Sequence, residues 1–241
     1  MDSTTKQQTW PTQLDLPGQA SVAEGPVALD AMYLMHHAFR RDLTAFTAAA
    51  RSTPVSDRAA WRALAERWTL FSETLHHHHS GEDAGLWPLL LDRADQEGRE
   101  TLEAMEAEHA EIDPLLEGCA AGFRRLAATA DEDARVALAA RLEVARDSLG
   151  RHLVHEETEA LPLVQRLMSH AEWERMEEEY FRKGLQLSRI LQIVPWASYG
   201  VPAHVRERLL RESGWLFRVV WRLTRRRFAR REQVAFAHIG G

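Results

Sequence analysis

Four stretches of this chain carry apolar residues at alternating steps of three and four, and at one level of every stretch the apolar series is broken by histidine. The first stripe runs Leu29, Met32, His36, Phe39, Leu43, Phe46, Ala50, and the second Trp61, Leu64, Trp68, Phe71, Leu75, His78, Glu82. The third runs Leu102, Met105, His109, Ile112, Leu116, Cys119, Phe123, Leu126, and the fourth Leu138, Leu142, Ala145, Leu149, His152, Glu156. This spacing keeps side chains on one face of a helix and turns that face towards a bundle core. Four imidazoles and two carboxylates in such a core are costly unless something pairs them, because an isolated buried carboxylate is strongly destabilised or changes its protonation. A pair of metal ions supplies that compensation. In each His-x-x-x-Glu the four-residue step sets imidazole and carboxylate on one face, about 6 Å apart along the axis at the helical rise. Two metals can then share Glu82 and Glu156 and take His36, His78, His109 and His152 as terminal ligands.

The rest of the chain agrees with an all-α fold. After Gly25 and Pro26 come long runs rich in Ala, Leu, Arg and Glu with no alternating strand pattern, and these read as helices over about 26–50, 57–92, 98–127 and 133–167. Ser56 is the expected N-cap of the second, ADQEG at 94–98 and ATADED at 128–133 are polar joints, and Ser169 with Glu172 forms a capping box. Joints this short make sequential helices antiparallel neighbours. Pro88 predicts an end or bend in the second helix and Pro114 a kink in the third. The domain plan is a flexible leader over 1–24, a four-helix bundle over 25–168, and a C-terminal helical extension over 169–241. With 45% hydrophobic and 27% charged residues the chain has an ordinary globular balance and enough apolar material for one large core.

An internal repeat marks the site. HHSGEDAGLWPLL from His78 aligns with HLVHEETEALPLV from His152, superposing the histidines, the acidic pairs Glu82–Asp83 and Glu156–Glu157, and Pro88 on Pro162. Such a repeat, docked face to face, produces a pseudo-twofold axis on which a binuclear centre lies naturally. His155 with Glu159 is a competing pair four residues apart, but the stripe and the repeat both favour His152 with Glu156. Of the run His76 to His79 only His78 lies on the stripe, and His76, His77 and His79 are expected to point elsewhere. Phe39, Trp68, Phe71 and Trp87 read as packing residues. Cys119, ten residues beyond His109, reads as a small core residue.

These motifs, HHAFRRDL at 36–43, His78 with Glu82 and Asp83 before LWPLL, EHAEIDPLL at 108–116, and His152 with Glu156 and Glu157 before LPLV, resemble those of the hemerythrin-like, or HHE cation-binding, domain family. The resemblance covers about 26–168. It implies an up-down antiparallel four-helix bundle, a non-haem centre of two iron ions, and chemistry with dioxygen, peroxide or nitric oxide. The ligand atoms by themselves also suit manganese or zinc, so iron follows from the resemblance. Oxygen-carrying hemerythrins use five histidines, two of them four apart on the third helix, whereas here Met105 and Asp113 flank His109 at those steps. A fifth ligand would come from His37, His155, Asp83 or solvent, and the four-histidine pattern suits peroxide turnover, iron sensing or redox signalling at least as well as oxygen carriage.

The function expected is therefore di-iron binding with O2, NO or peroxide as ligand, in a sensor, store or scavenger. The alternatives are a catalase-like or peroxidase-like enzyme and a metal-ordered regulatory adaptor. The adaptor would act through the tail, since residues 214–241 hold seven Arg and one Glu while the net charge of the whole chain is −6, leaving −12 on the remainder. A helix packed on the acidic bundle, with Arg paired to Glu, is the expected arrangement; an anionic membrane surface or nucleic acid are the other partners such a helix can meet. One cysteine excludes an internal disulfide, and the N-terminus carries no signal-like apolar run, so a cytoplasmic location is expected.

Overall fold

A computed structural model describes residues 10–239, and the described residues are helical without strands. Helix α1 spans Asp30–Ser52. Helix α2 is built of Arg58–Gly81, a π-helical turn Glu82–Leu86, and Trp87–Leu91. Helix α3 spans Gln96–Ala128, and α4 repeats the plan of α2 with Glu132–His155, a π turn Glu156–Ala160, and Leu161–Leu167. Three aspartates start these helices, each accepting from the N–H three residues on: Asp57 from Ala60 at 3.0 Å, Asp95 from Gly98 at 3.0 Å and Asp131 from Ala134 at 2.8 Å. The cap of α2 is thus Asp57, one residue beyond the expected Ser56.

Every member of the four sequence stripes is buried. The ring contacts fix the directions of the helices. His36 meets His78 at 5.4 Å and, further along α1, Phe46 meets Trp68 at 5.0 Å, so the two chains run oppositely. His79 with His109 at 3.9 Å and Trp68 with Phe123 at 5.1 Å give the same sense for α2 and α3. Helix α3 packs on α4, and α4 closes the bundle against α1. Helix α3 continues through Pro114 without a break; the proline lies on the solvent face, where water can meet the carbonyl of Ala110 that its missing N–H leaves free.

Residues 1–9 of the expected leader lie outside the described residues. From residue 10 onward the segment is not a loose arm. Leu14 and Leu16 are buried, the Gln13 amide bridges the Val27 carbonyl (2.7 Å) and the Leu29 N–H (2.9 Å), and Leu14 N–H donates to Asp30 at 2.8 Å. Two leucines and one glutamine anchor what its Pro- and Gln-rich composition suggested would be free.

The extension forms α5 (His170–Met176, continued by a π-helical turn Glu177–Arg182), α6 (Leu187–Ala197), α7 (Ala203–Glu212) and α8 (Gly214–Ala235). The capping box of Ser169 and Glu172 opens α5 as expected. Helix α8 packs on α2 and α6, burying Val220, Phe228, Glu232 and Ala235, but its ion pairing is the reverse of the one expected. Buried Arg67 of the bundle donates to Glu232 of α8 at 2.5 Å and to Asp42 of α1 at 2.5 Å, and Asp42 also accepts from Trp196 Nε1 at 2.7 Å. The arginines of α8 stay exposed, and none of them forms an ion pair among the described residues. A long, flexible arginine keeps its hydration at the surface, while one buried arginine between two acids ties α1, α2, α6 and α8 into a single register. No described helix is long and apolar enough to cross a membrane.

Candidate metal centre

The π turns of α2 and α4 place the two carboxylates. Each π turn directly precedes a proline, Pro88 or Pro162, which has no N–H to give the carbonyl four residues back, and in it Trp87 N–H reaches Glu82 C=O and Leu161 N–H reaches Glu156 C=O. The repeat therefore preserves a backbone irregularity as well as residue types. Each widened turn begins at the glutamate that faces the core, and both Glu82 and Glu156 are fully buried.

The structure brings all six expected residues, His36, His78, Glu82, His109, His152 and Glu156, together at one level and adds a seventh, His79. Donor atoms of His36, His78, Glu82 and Glu156 lie within 4.8 Å of one another, and so do those of His79, His109 and His152. The carboxylates span the two groups. Glu82 Oε1 is 3.1 Å from His78 Nε2 while its Oε2 is 3.6 Å from His109 Nε2. Glu156 Oε2 is 3.1 Å from His36 Nε2 and 3.8 Å from His152 Nε2.

His79 corrects the expectation that it points away. It is buried, and its ring stacks on that of His109 with 3.9 Å between centroids and 7° between planes. The signal was present in the repeat, which aligns His79 with Leu153, a core residue of α4; the step of four from Leu75 also reaches it. One stripe per helix is too narrow at this level, because successive residues 100° apart can both face a core that widens around a site. The other members of the histidine run lie outside the cluster. His76 is exposed, 3.7 Å from Asp113, and His77 Nε2 bonds to the Phe181 carbonyl at 3.0 Å.

The residues considered as a fifth ligand have other partners. Asp83 accepts from His109 Nδ1 at 2.7 Å. His155 shares Glu108 with His152, the two Nδ1 atoms lying 2.9 and 2.8 Å from its two oxygens. His37 Nδ1 lies 3.3 Å from the Pro17 carbonyl. Glu159 is exposed and lies 3.4 Å from His155 and 3.5 Å from the Thr101 hydroxyl, so the His155–Glu159 pair stands beside the cluster and not in it. On α1, His36 Nδ1 is 2.9 Å from Glu157, a carboxylate that also accepts two bonds from Arg40 and one from the Ala20 N–H. An acceptor on Nδ1 fixes the ring proton there and leaves the Nε2 lone pair facing inward, the usual outer support of a metal-bound imidazole.

The electrostatics test whether a cation fits. Eight polar atoms at this level are buried without a hydrogen-bond partner: Nε2 of His36 and His78, both ring nitrogens of His79, and all four oxygens of Glu82 and Glu156. Buried polar groups are otherwise almost always paired. Burial depresses the basicity of His78, His79 and His152, keeping them neutral as ligands must be. Desolvation, with Glu156 beside it, pushes Glu82 far above the usual carboxylate range, whereas His36, His152 and His78 overcome desolvation and hold Glu156 below it. For His36, burial opposes the charge, but Glu156 and Glu157 prevail and lift it to about 9. With no cation, the site is thus left with one carboxylate driven neutral and one imidazole driven cationic. Divalent ions would let both glutamates ionise and accept all the inward nitrogens, so the donor set fits a metal pair.

Residues 27–164 match the hemerythrin HHE cation binding domain, and the chain belongs to that family. No curated protein and no solved structure matches it.

Proposed function

We propose that this protein is a non-haem di-iron protein that takes up O2, NO or peroxide as a sensor, store or scavenger. The observation that carries this reading is the pair of buried carboxylates, each lying between an imidazole of one group and an imidazole of the other. His79, His109 and His152 would hold one ion, His36 and His78 the other, and Glu82 and Glu156 would bridge them. An iron pair in such a setting supplies redox equivalents and a coordination position to a small ligand. The chain's own part is to keep His78, His79 and His152 neutral by burial, to orient His36, His109 and His152 through Glu157, Asp83 and Glu108, and to exclude water with the surrounding aromatic rings. Five imidazoles so divided would match the histidine count of the oxygen-carrying hemerythrins.

The test is metal content with an optical spectrum. Two iron ions per chain and near-ultraviolet charge-transfer absorption in the oxidised protein support the reading; a single tightly held ion, or none after iron-replete expression, refutes it. Peroxide turnover by the loaded protein separates an enzyme from a binding protein.

One observation favours a second reading, the metal-ordered adaptor: the seven exposed arginines of α8 have no ion-pair partner among the described residues. Replacing Arg222, Arg226 and Arg230 by glutamine should abolish partner capture under that reading and leave metal content unchanged.

A further inference from the structure

The extension lies beyond the matched family domain, yet it reaches the site. Helix α5 lays Phe181 and Tyr180 on α2 where that helix carries Gly81 and Gly85. A Cβ at Gly81 would come within 2.8 Å of the Phe181 ring, and one at Gly85 within 2.5 Å of the Tyr180 ring. The two glycines make a hollow into which these aromatics fit, and His77 Nε2 pins the Phe181 carbonyl at 3.0 Å. Between this wall, α1 and α6 lies a cavity of about 170 Å³ bounded by Met32, Met35, Trp173, Phe181 and Ile193, with His78 on its lining and none of His79, His109 or His152.

Apart from His78, whose Nε2 is buried without a partner, the polar side chains that border this cavity have partners. Thr74 donates to the Leu70 carbonyl and accepts from Arg189, and Glu177 accepts from Arg182 at 2.7 Å. What remains is an apolar space. An enclosed cavity of about 150 Å³ lined by Leu, Ile and Phe stays dry and admits xenon or benzene, and the surface of this one, though it opens beside Ala31, is likewise mostly apolar. Its position also matters. In the proposed centre the ion at His36 and His78 has two imidazoles where its partner has three, so its coordination is the more open.

We propose that this cavity, completed by the extension, is a chamber that receives one small apolar molecule of diatomic size and delivers it to the His36–His78 side of the centre. The chamber deepens the di-iron reading, and its route to the metal rests on that reading. The three-imidazole side receives no ligand from it.

The test fills the chamber from exposed Ala31, which lines it, using Ala31→Phe, with Ile193→Phe as a second plug from the opposite wall. Xenon does not coordinate metal, so titration of the full chain by 129Xe NMR scores the chamber whether or not iron is bound. The wild-type chain should show one saturable xenon site, lost in both folded variants. In the iron-loaded protein NO association should slow several-fold in Ala31→Phe with iron content unchanged. Absence of a saturable site, or its survival in both variants, overturns the chamber. Loss of xenon binding with NO association unchanged overturns the route. Failure to bind two irons would instead sink the di-iron reading and leave the xenon result to decide the chamber alone.

Discussion

Replacing His79 by leucine should move the stability of the metal-free and metal-loaded protein in opposite directions. Both ring nitrogens of His79 are buried without a hydrogen-bond partner, and an unsatisfied buried group costs about 1–3 kcal/mol. Leucine has a comparable volume, stands at the repeat-related position 153, and removes the unpaired atoms, while repacking costs less than about 1.5 kcal/mol for volume-conserving exchanges. A net gain of about 1–2 kcal/mol in the metal-free protein follows, which at this chain length raises the thermal midpoint by about 2–8 °C. With metal the sign reverses. An ion present at about a hundredfold excess over its dissociation constant stabilises the native state by about 2.7 kcal/mol, and the leucine variant forfeits that for the ion held by His109 and His152. The assay is paired thermal melts, with chelator and with iron, alongside metal analysis. Should His79→Leu retain two ions and gain as much midpoint on loading as the wild type, His79 does not ligate and the three-and-two division fails.

The metal-free protein should lose stability as pH rises from about 6.5 towards 9. His36 is raised from its ordinary 6.5 to about 9 in the folded state, so its contribution is complete below the unfolded value and vanishes as pH passes the folded one; chelated protein melted from pH 6 to 9 measures this, and a flat profile contradicts it. Glu232→Ala strips Arg67 of one of its two acids and should cost about 3–5 kcal/mol, read as a lower urea midpoint and early proteolysis within α8; an unchanged midpoint would show that the buried triad does not hold the extension. Glu108→Gln removes the charge and one of the two acceptor oxygens that His152 and His155 use, and Asp83→Asn weakens the acceptor on His109; each should lower metal affinity about 10- to 100-fold, by competition with a chelator, whereas His76→Ala should leave affinity unchanged.

The helical class, the faces of the four bundle helices and six of the seven clustered residues were legible in the sequence because helical periodicity is local. A residue's face follows from its position modulo the turn, and polar residues interrupting an apolar face at one level announce a site. The repeat added the pairing of Glu82 with Glu156 and of Pro88 with Pro162. It did not disclose the π turn before each of these two prolines, since Pro114 stands in a helix that continues without one.

What the tertiary structure alone decided has in each case a long-range origin. His79 faces inward because α3 presents the flat ring of His109 for it to stack on, a partner thirty residues away in sequence. Glu157, Asp83 and Glu108 lie within the motifs, and Asp83 was a candidate ligand, but only packing sets the three against Nδ1 of His36, His109 and His152. Residues 10–24 are fastened by Gln13, Leu14 and Leu16, whose composition gives no hint of a docking groove. The basic tail follows the same rule. Its charge was visible from the sequence, but whether arginine or glutamate makes the buried pair depends on which side chain meets a desolvated partner, and that was set by Arg67 lying between Asp42 and Glu232.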